Sequence, residues 1–227
     1  GGSAPLIVFD DADLSVAVPE ALRRTFSHTG QICIGVNRIF VQQAAFEAFF
    51  EAFVDGASRL RVAADGLKDP AADMGPLINA RGVATVQAHV DDALAQGAEL
   101  VLGGARPTDA RYHPDGFFYQ PTVLRSVKPD MRVMQEETFG PVAPIMPFAT
   151  VDEGIALANG TPYGLAAYVY TRDLNRAYCA ARSLKAGGIG INVNDITDIR
   201  APFGGMKQSG IGRELGEPGL HAYLETK

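Results

Sequence analysis

The 227-residue chain carries 20 Lys and Arg against 26 Asp and Glu, a formal charge of −6, which argues against a broad nucleic-acid surface. Hydrophobic residues make up 47%, enough to bury a substantial core, yet no apolar run approaches the roughly 18–20 residues of a membrane span. Two cysteines are no disulfide framework and fit a reducing, cytoplasmic setting.

In chain order, the opening GGSAPLIVFDD has neither a basic n-region nor a long apolar h-region, so no secretory signal is expected. With no initiator Met and a strand so early, it reads as a piece cut at a domain edge. Leu6-Ile7-Val8-Phe9 predicts a strand closed by Asp10-Asp11. A helix is expected from an Asp13 cap to about Ser27, with Pro19 tolerable only near the first turn. Residues 38–42 predict the next strand. Between 44 and 61, Phe46, Phe49, Phe50, Phe53 and Ala57 share the stripe of an amphipathic helix.

A further helix over about 80–96, ended by Gly97, leads into a strand at 100–102. Extended segments are expected at 117–124 and 142–148, where Pro121, Pro144 and Pro147 point to edges or irregular pairings. Helix at 155–159, strand at 165–171, helix at 174–184 and strand at 188–193 complete the alternation. Strands separated by helices of this length predict an α/β layer with a largely parallel sheet. The polar loops at 62–78 and 105–116 are too short to divide the chain, so one domain over 1–227 is expected.

Metal chemistry finds no ligand pattern. His28, His89, His113 and His221 are scattered, with no CxxC or HxxxH pair, and read as surface or capping residues. No G-x-S-x-G elbow, Walker loop or G-x-G-x-x-G fingerprint occurs. The remaining candidate is Cys33 in TGQICIGVNR (29–38). A lone Cys between two isoleucines is most often a small buried hydrophobe. Its place in a turn between helix and strand, bracketed by Gly30 and Gly35, equally suits a nucleophile, since such a turn presents both a sulfur and a backbone N–H to one cleft. Cys179, inside a helix, is expected to be buried and inert.

The segment TGQICIGVNRIFVQ resembles the nucleophile segment of the NAD(P)-dependent aldehyde dehydrogenases. The resemblance continues through DMGPLIN (73–79), FFYQPTVL (117–124), EETFGPVAPI (136–145), NGTPYGLAAYVYTRD (159–173), GINVND (190–195) and APFGGMKQSGIGRELGEPGLHAYLETK (201–227). In detailed wording it is most similar to the succinate-semialdehyde dehydrogenase branch. The resemblance implies a three-layer catalytic domain with a twisted, largely parallel sheet flanked by helices.

It also implies roles. Cys33 attacks an aldehyde, passing through a thiohemiacetal and a thioester, with its own N–H as half of the oxyanion hole. Glu137 contacts the nicotinamide-side ribose of NAD or NADP and Phe139 packs beside the nicotinamide. Ile32, Ile34 and Phe203 line the aldehyde pocket. Ser27 stands where the succinate-semialdehyde branch has a carboxylate-gripping Arg. Asp198 opposes an anionic substrate, and Arg200 is the candidate replacement for the lost charge.

In the family, the general base, a second oxyanion donor and the coenzyme-binding domain precede the segment matched here. The expectation is therefore a catalytic domain without its coenzyme domain, inactive alone, exposing an apolar face near Phe139 and Phe203. The full-length parent is expected to be a dimeric or tetrameric homo-oligomer acting on a small-molecule aldehyde, with no nucleic-acid or membrane partner. A non-catalytic fragment or degenerate paralogue serving folding or assembly is the alternative.

Overall fold

Alternation of apolar runs and amphipathic helices closes into one seven-stranded sheet; the computed structural model describes residues 1–64, 69–225 and 227. Residues 65–68 of the expected 62–78 loop, and residue 226 of the YLETK motif, lie outside the described residues. The strands are β1 (Ala4–Val8), β2 (Val36–Gln42), β3 (Glu99–Leu102), β4 (Thr122–Arg125), β5 (Val142–Phe148), β6 (Ala166–Tyr170) and β7 (Gly188–Ile191). Their spatial order is β3-β4-β5-β2-β1-β6-β7. Every pairing is parallel except β3 with β4.

The helices are α1 (Leu14–Phe26), α2 (Phe46–Ser58), α3 (Ala80–Ala95), α4 (Arg132–Gln135), α5 (Val151–Asn159), α6 (Leu174–Ser183) and α7 (Gly216–His221). Strand side chains alternate between faces, so the sheet carries two cores. Leu6, Val8, Ile39, Val41, Tyr168 and Tyr170 meet α1 and the Phe49–Phe53 stripe of α2. Ile7, Phe9, Phe40 and Val169 meet residues of α3 to α6 on the other face. Each fully buried aromatic or aliphatic side chain contributes about 1.5–3 kcal/mol. No described helix is long and apolar enough to cross a membrane.

Proline placement departs from expectation in two places. Pro144 and Pro147 lie on β5, an interior strand. They are accommodated because the neighbours are staggered: β4 pairs with residues 142–144 and β2 with 145–148, so neither side needs a full ladder of donors. Pro19 lies well inside α1 rather than in its first turn. Both Pro19 and Ser15 are exposed, so the carbonyl that loses its partner faces water. Of the extended segment expected at 117–124, only its end joins the sheet.

Arg38 on β2 is 2% exposed and has no carboxylate partner among the described residues. Its guanidinium donates to the Ser3 carbonyl (3.2 and 2.8 Å), to Leu157 O (3.1 Å) and to Ala158 O (2.9 Å). It thereby ties the start of β1 to the C-terminal carbonyls of α5, where a cation is favoured. Burial pulls the group down to about 9, which leaves it charged at neutral pH. Arg38→Met should deprive the buried Ser3 and Ala158 carbonyls of their guanidinium donor and lower stability by on the order of 3 kcal/mol, measured as a shifted urea midpoint.

Candidate active site

Cys33 lies in the turn entering β2, and its chemistry depends on what braces that turn. Before it, α1 ends at Ser27 in a single 3₁₀ turn, Ser27–Gly30, in which His28 (φ 54°) and Thr29 (φ 61°) are left-handed. For a β-branched residue this is a strained conformation that surrounding contacts must hold. Thr29 is buried and its hydroxyl donates to Gly75 O at 2.9 Å. Gln31 completes the brace: its amide N donates to His28 O (3.0 Å), and its amide O accepts from the Ile78 N–H (2.8 Å). The DMGPLIN segment therefore buttresses the cysteine turn. On the far side, the buried Tyr168 hydroxyl donates to Ile34 O at 2.7 Å, and burial pushes its phenol upward.

Two glycines let backbones touch here. A Cβ on Gly2 would lie 2.4 Å from the Cys33 carbonyl oxygen. Gly30 (φ 71°) leaves room for the Gly140 carbonyl, 2.2 Å from where its Cβ would be. The strand start, the cysteine turn and the EETFGP loop thus meet at the amino end of the sheet.

The EETFGP loop brings Glu137 and Phe139 to this junction. Glu137 is half-buried, and its Oε1 accepts from the Gly2 N–H at 2.9 Å. Phe139 is 41% exposed with φ 50°, strained for an aromatic residue. Glu136 faces away, toward Arg132 (2.9 Å) and His89 (3.1 Å). The Arg132 hydrogen bond holds its carboxyl at about 2.

Cys33 is exposed, as a nucleophile requires. Its N–H finds no acceptor among the described residues and is free to face a developing oxyanion. Ile32 and Phe203 are partly buried against the apolar cluster that includes Ile34, Phe26, Leu165 and Tyr168.

The loop leading to Phe203 is pinned to α1. Arg24, buried, donates to Asn194 O and to Asp195 Oδ1 (2.5 Å). The Asn194 amide donates to Glu20 O (2.8 Å) and accepts from the Tyr170 hydroxyl (3.0 Å). Phe203 exchanges two backbone hydrogen bonds of 2.7 Å with Glu214. Lys207 anchors the segment by donating to Thr161 O (2.6 Å) and Asn159 O (3.2 Å).

Ser27, half-buried, brings a hydroxyl and no charge. Arg200 is exposed and occupied by Asp198, at 2.7 Å; its guanidinium bond holds that carboxyl at about 2. Two expectations change. His89, read as a surface residue, is 0% exposed, because both ring nitrogens have polar partners in the interior. Cys179, read as buried, is exposed, since only Ala180 of α6 is buried. Sequence reasoning also passed over Gly2, Thr29 and Tyr168; two left-handed residues before a glycine leave no composition signal.

A family model described as the aldehyde dehydrogenase family matches residues 1–227. Among curated relatives, the chain is 44% identical to the 3-sulfolactaldehyde dehydrogenase of Pseudomonas putida, covering 100% of this chain and 45% of the relative. It is 45% identical to the NADP(+) succinate-semialdehyde dehydrogenase of Escherichia coli, covering 100% and 46%. The crystal structure of betaine aldehyde dehydrogenase from Staphylococcus aureus in complex with NAD+ superposes with a TM-score of 0.95 at 41% identity, covering 100% of this chain and 44% of that one. The chain thus spans about half the length of the relatives it matches.

Three outcomes are expected. Gly30→Ala should cost about 3 kcal/mol, through its left-handed φ and the collision with Gly140, seen as a lowered thermal midpoint. Iodoacetamide should label both Cys33 and Cys179 in the native chain, so peptide-mapped rates compare reactivity rather than access. Glu136 titrates lower folded than unfolded, so its contribution is complete above its ordinary value of 4.5 and lost as pH falls toward about 2. Amide exchange across 136–140 should rise over that window, and Arg132→Ala should move the rise to higher pH.

Proposed function

Since this chain belongs to the aldehyde dehydrogenase family, we propose that it supplies the nucleophile and part of the coenzyme contact of an NAD(P)-dependent aldehyde dehydrogenase. The observation that carries the reading is the exposed Cys33 on a braced, strained turn that touches both Gly2 and the EETFGP loop. In this reading the coenzyme-binding domain corresponds to the part of the relatives that the chain does not cover.

The Cys33 sulfur adds to the aldehyde carbon, and the Cys33 N–H steadies the oxygen of the resulting thiohemiacetal. When bound, the nicotinamide supplies the hydride acceptor. Oxidation leaves a thioester on Cys33; water cleaves it, releasing the carboxylate and restoring the thiol. The donor set suits such a coenzyme. Glu137 Oε1 is engaged by Gly2, while a carboxylate has acceptor sites to spare for ribose hydroxyls. Phe139 offers an exposed ring beside it. Ile32, Ile34 and Phe203 form the apolar wall for the aldehyde.

For the substrate, the relatives suggest a semialdehyde, whereas the residues favour an aldehyde without a distal carboxylate. Ser27 brings no charge, and Arg200 is neutralised by Asp198. Ile211, Leu220, Tyr223 and Leu224 are large apolar side chains left exposed near the end of the chain, of the kind that homo-oligomer assembly would cover.

In the full-length enzyme, Cys33→Ala should abolish aldehyde oxidation while coenzyme still binds. Steady-state kinetics should give succinate semialdehyde no large advantage over an uncharged aldehyde of similar length, and Arg200→Ala should leave that ratio unchanged. A strong preference for the acid would overturn the assignment of an uncharged substrate, whether it survives Arg200→Ala or is lost with the guanidinium.

A further inference from the structure

His89 is a fully buried imidazole that no step above uses. It projects from α3 with Nδ1 3.0 Å from the Thr138 hydroxyl and Nε2 3.1 Å from Glu136 Oε2. An ionised carboxylate only accepts, so Nε2 carries the proton; Nδ1 is then the acceptor and the Thr138 hydroxyl the donor. Burial pulls the imidazole downward, against the opposing pull of Glu136, consistent with a neutral ring. The charged groups around it are Asp92 on its own helix, Arg132 on α4 and Glu136 on the loop. Arg132 is engaged by Glu136 through its side chain and by Asp92 Oδ2 through its backbone N–H (3.0 Å).

These contacts grip alternate residues of the EETFGP loop. Glu136 and Thr138 are held by His89, whereas Glu137 reaches the Gly2 N–H and the Phe139 ring stays exposed. One turn back on the same helix, Val86 lies under Gly140, 2.2 Å from where a Cβ on that glycine would be. Phe139, left-handed, is therefore bounded by Thr138 fixed on one side and Gly140 fixed on the other. Such strain persists only when neighbours over-determine it.

We propose that His89 is a positioning residue: by bridging Thr138 and Glu136 it holds the backbone that aims Glu137 and Phe139 at the coenzyme. The proposal rests on the reading of those two residues as coenzyme contacts. Small misplacements of contacting groups change rates by up to about 10²-fold.

The test is His89→Leu in the full-length enzyme, with Thr138→Val, Glu137→Gln and Phe139→Ala beside it. His89→Leu should raise the coenzyme KM and lower kcat by about tenfold each. Its aldehyde KM and the rate of Cys33 alkylation by iodoacetamide should stay near those of the parent. His89→Gln, which can donate to Glu136 from the Nε2 position, should recover most of the loss. Thr138→Val should reproduce the effect, and the double variant should be no worse than the poorer single one, the mark of a shared contact. Should His89→Leu fail to fold, Thr138→Val and His89→Gln carry the same comparison. Nitrogen NMR of the imidazole in this chain should report a neutral ring protonated on Nε2.

If Glu137→Gln and Phe139→Ala change coenzyme kinetics and the His89 and Thr138 variants do not, the positioning role is overturned alone. If none of the four does, the coenzyme reading of the loop falls with it. An Nδ1–H tautomer or an imidazolium at neutral pH also overturns the proposal.

Discussion

Three stretches of backbone meet at the amino end of the sheet with almost no side chain between them. Gly2 lies on the Cys33 carbonyl, and Gly30 lies on that of Gly140. Both separations are too short for a Cβ, so the arrangement requires glycine at these positions; Gly30 also has the positive φ that favours it. Because these contacts join backbones, the main chain fixes where the Cys33, Glu137 and Phe139 side chains start, and the Gly2 N–H then holds the Glu137 carboxylate. Such a junction is only as good as the segments leading into it, and each of those is separately tied down.

The ties are buried polar groups. Arg38 fixes the start of β1 through Ser3 and the end of α5 through Leu157 and Ala158. Arg24 and Asn194 dock the 192–195 loop onto α1, and Tyr168 holds the turn after Cys33. Each donates to a buried or half-buried backbone carbonyl, and a buried carbonyl left with no partner costs about 1–3 kcal/mol. Interior polar pairing and site geometry are therefore the same set of contacts.

The position of the site in the sheet follows from this. Open parallel sheets commonly bind ligands beyond the carboxyl ends of their strands, where neighbouring connections diverge. Here β1 and β6 are neighbours whose connections lead to opposite sides, toward β2 and β7. That crevice is closed from within: Asp11 accepts from the Thr171 hydroxyl and from the N–H groups of Arg172 and Asp173, and it pairs with Arg176. Gly2, Cys33 and the EETFGP loop gather instead at the opposite end, before β1, β2 and β5.

Period and punctuation placed most elements in the sequence. Asp13, the Phe46–Phe53 stripe and Gly97 mark helix boundaries within a few residues of where they fall, because capping and amphipathicity are local. The motif around Cys33 and the wording EETFGP and PFGG were legible for the same reason: each is a contiguous run of residues. Strand order was not legible, and so neither was the tolerance of β5 for Pro144 and Pro147, which depends on staggered neighbours far away in sequence. The expectations for His89 and Cys179 failed for a related reason. A helix pattern says which residues share a face, but only packing says which face is covered and by what. His89 is interior because Thr138 and Glu136, nearly fifty residues on, arrive to satisfy both its nitrogens; Cys179 is outside because nothing in the described structure covers its side of α6.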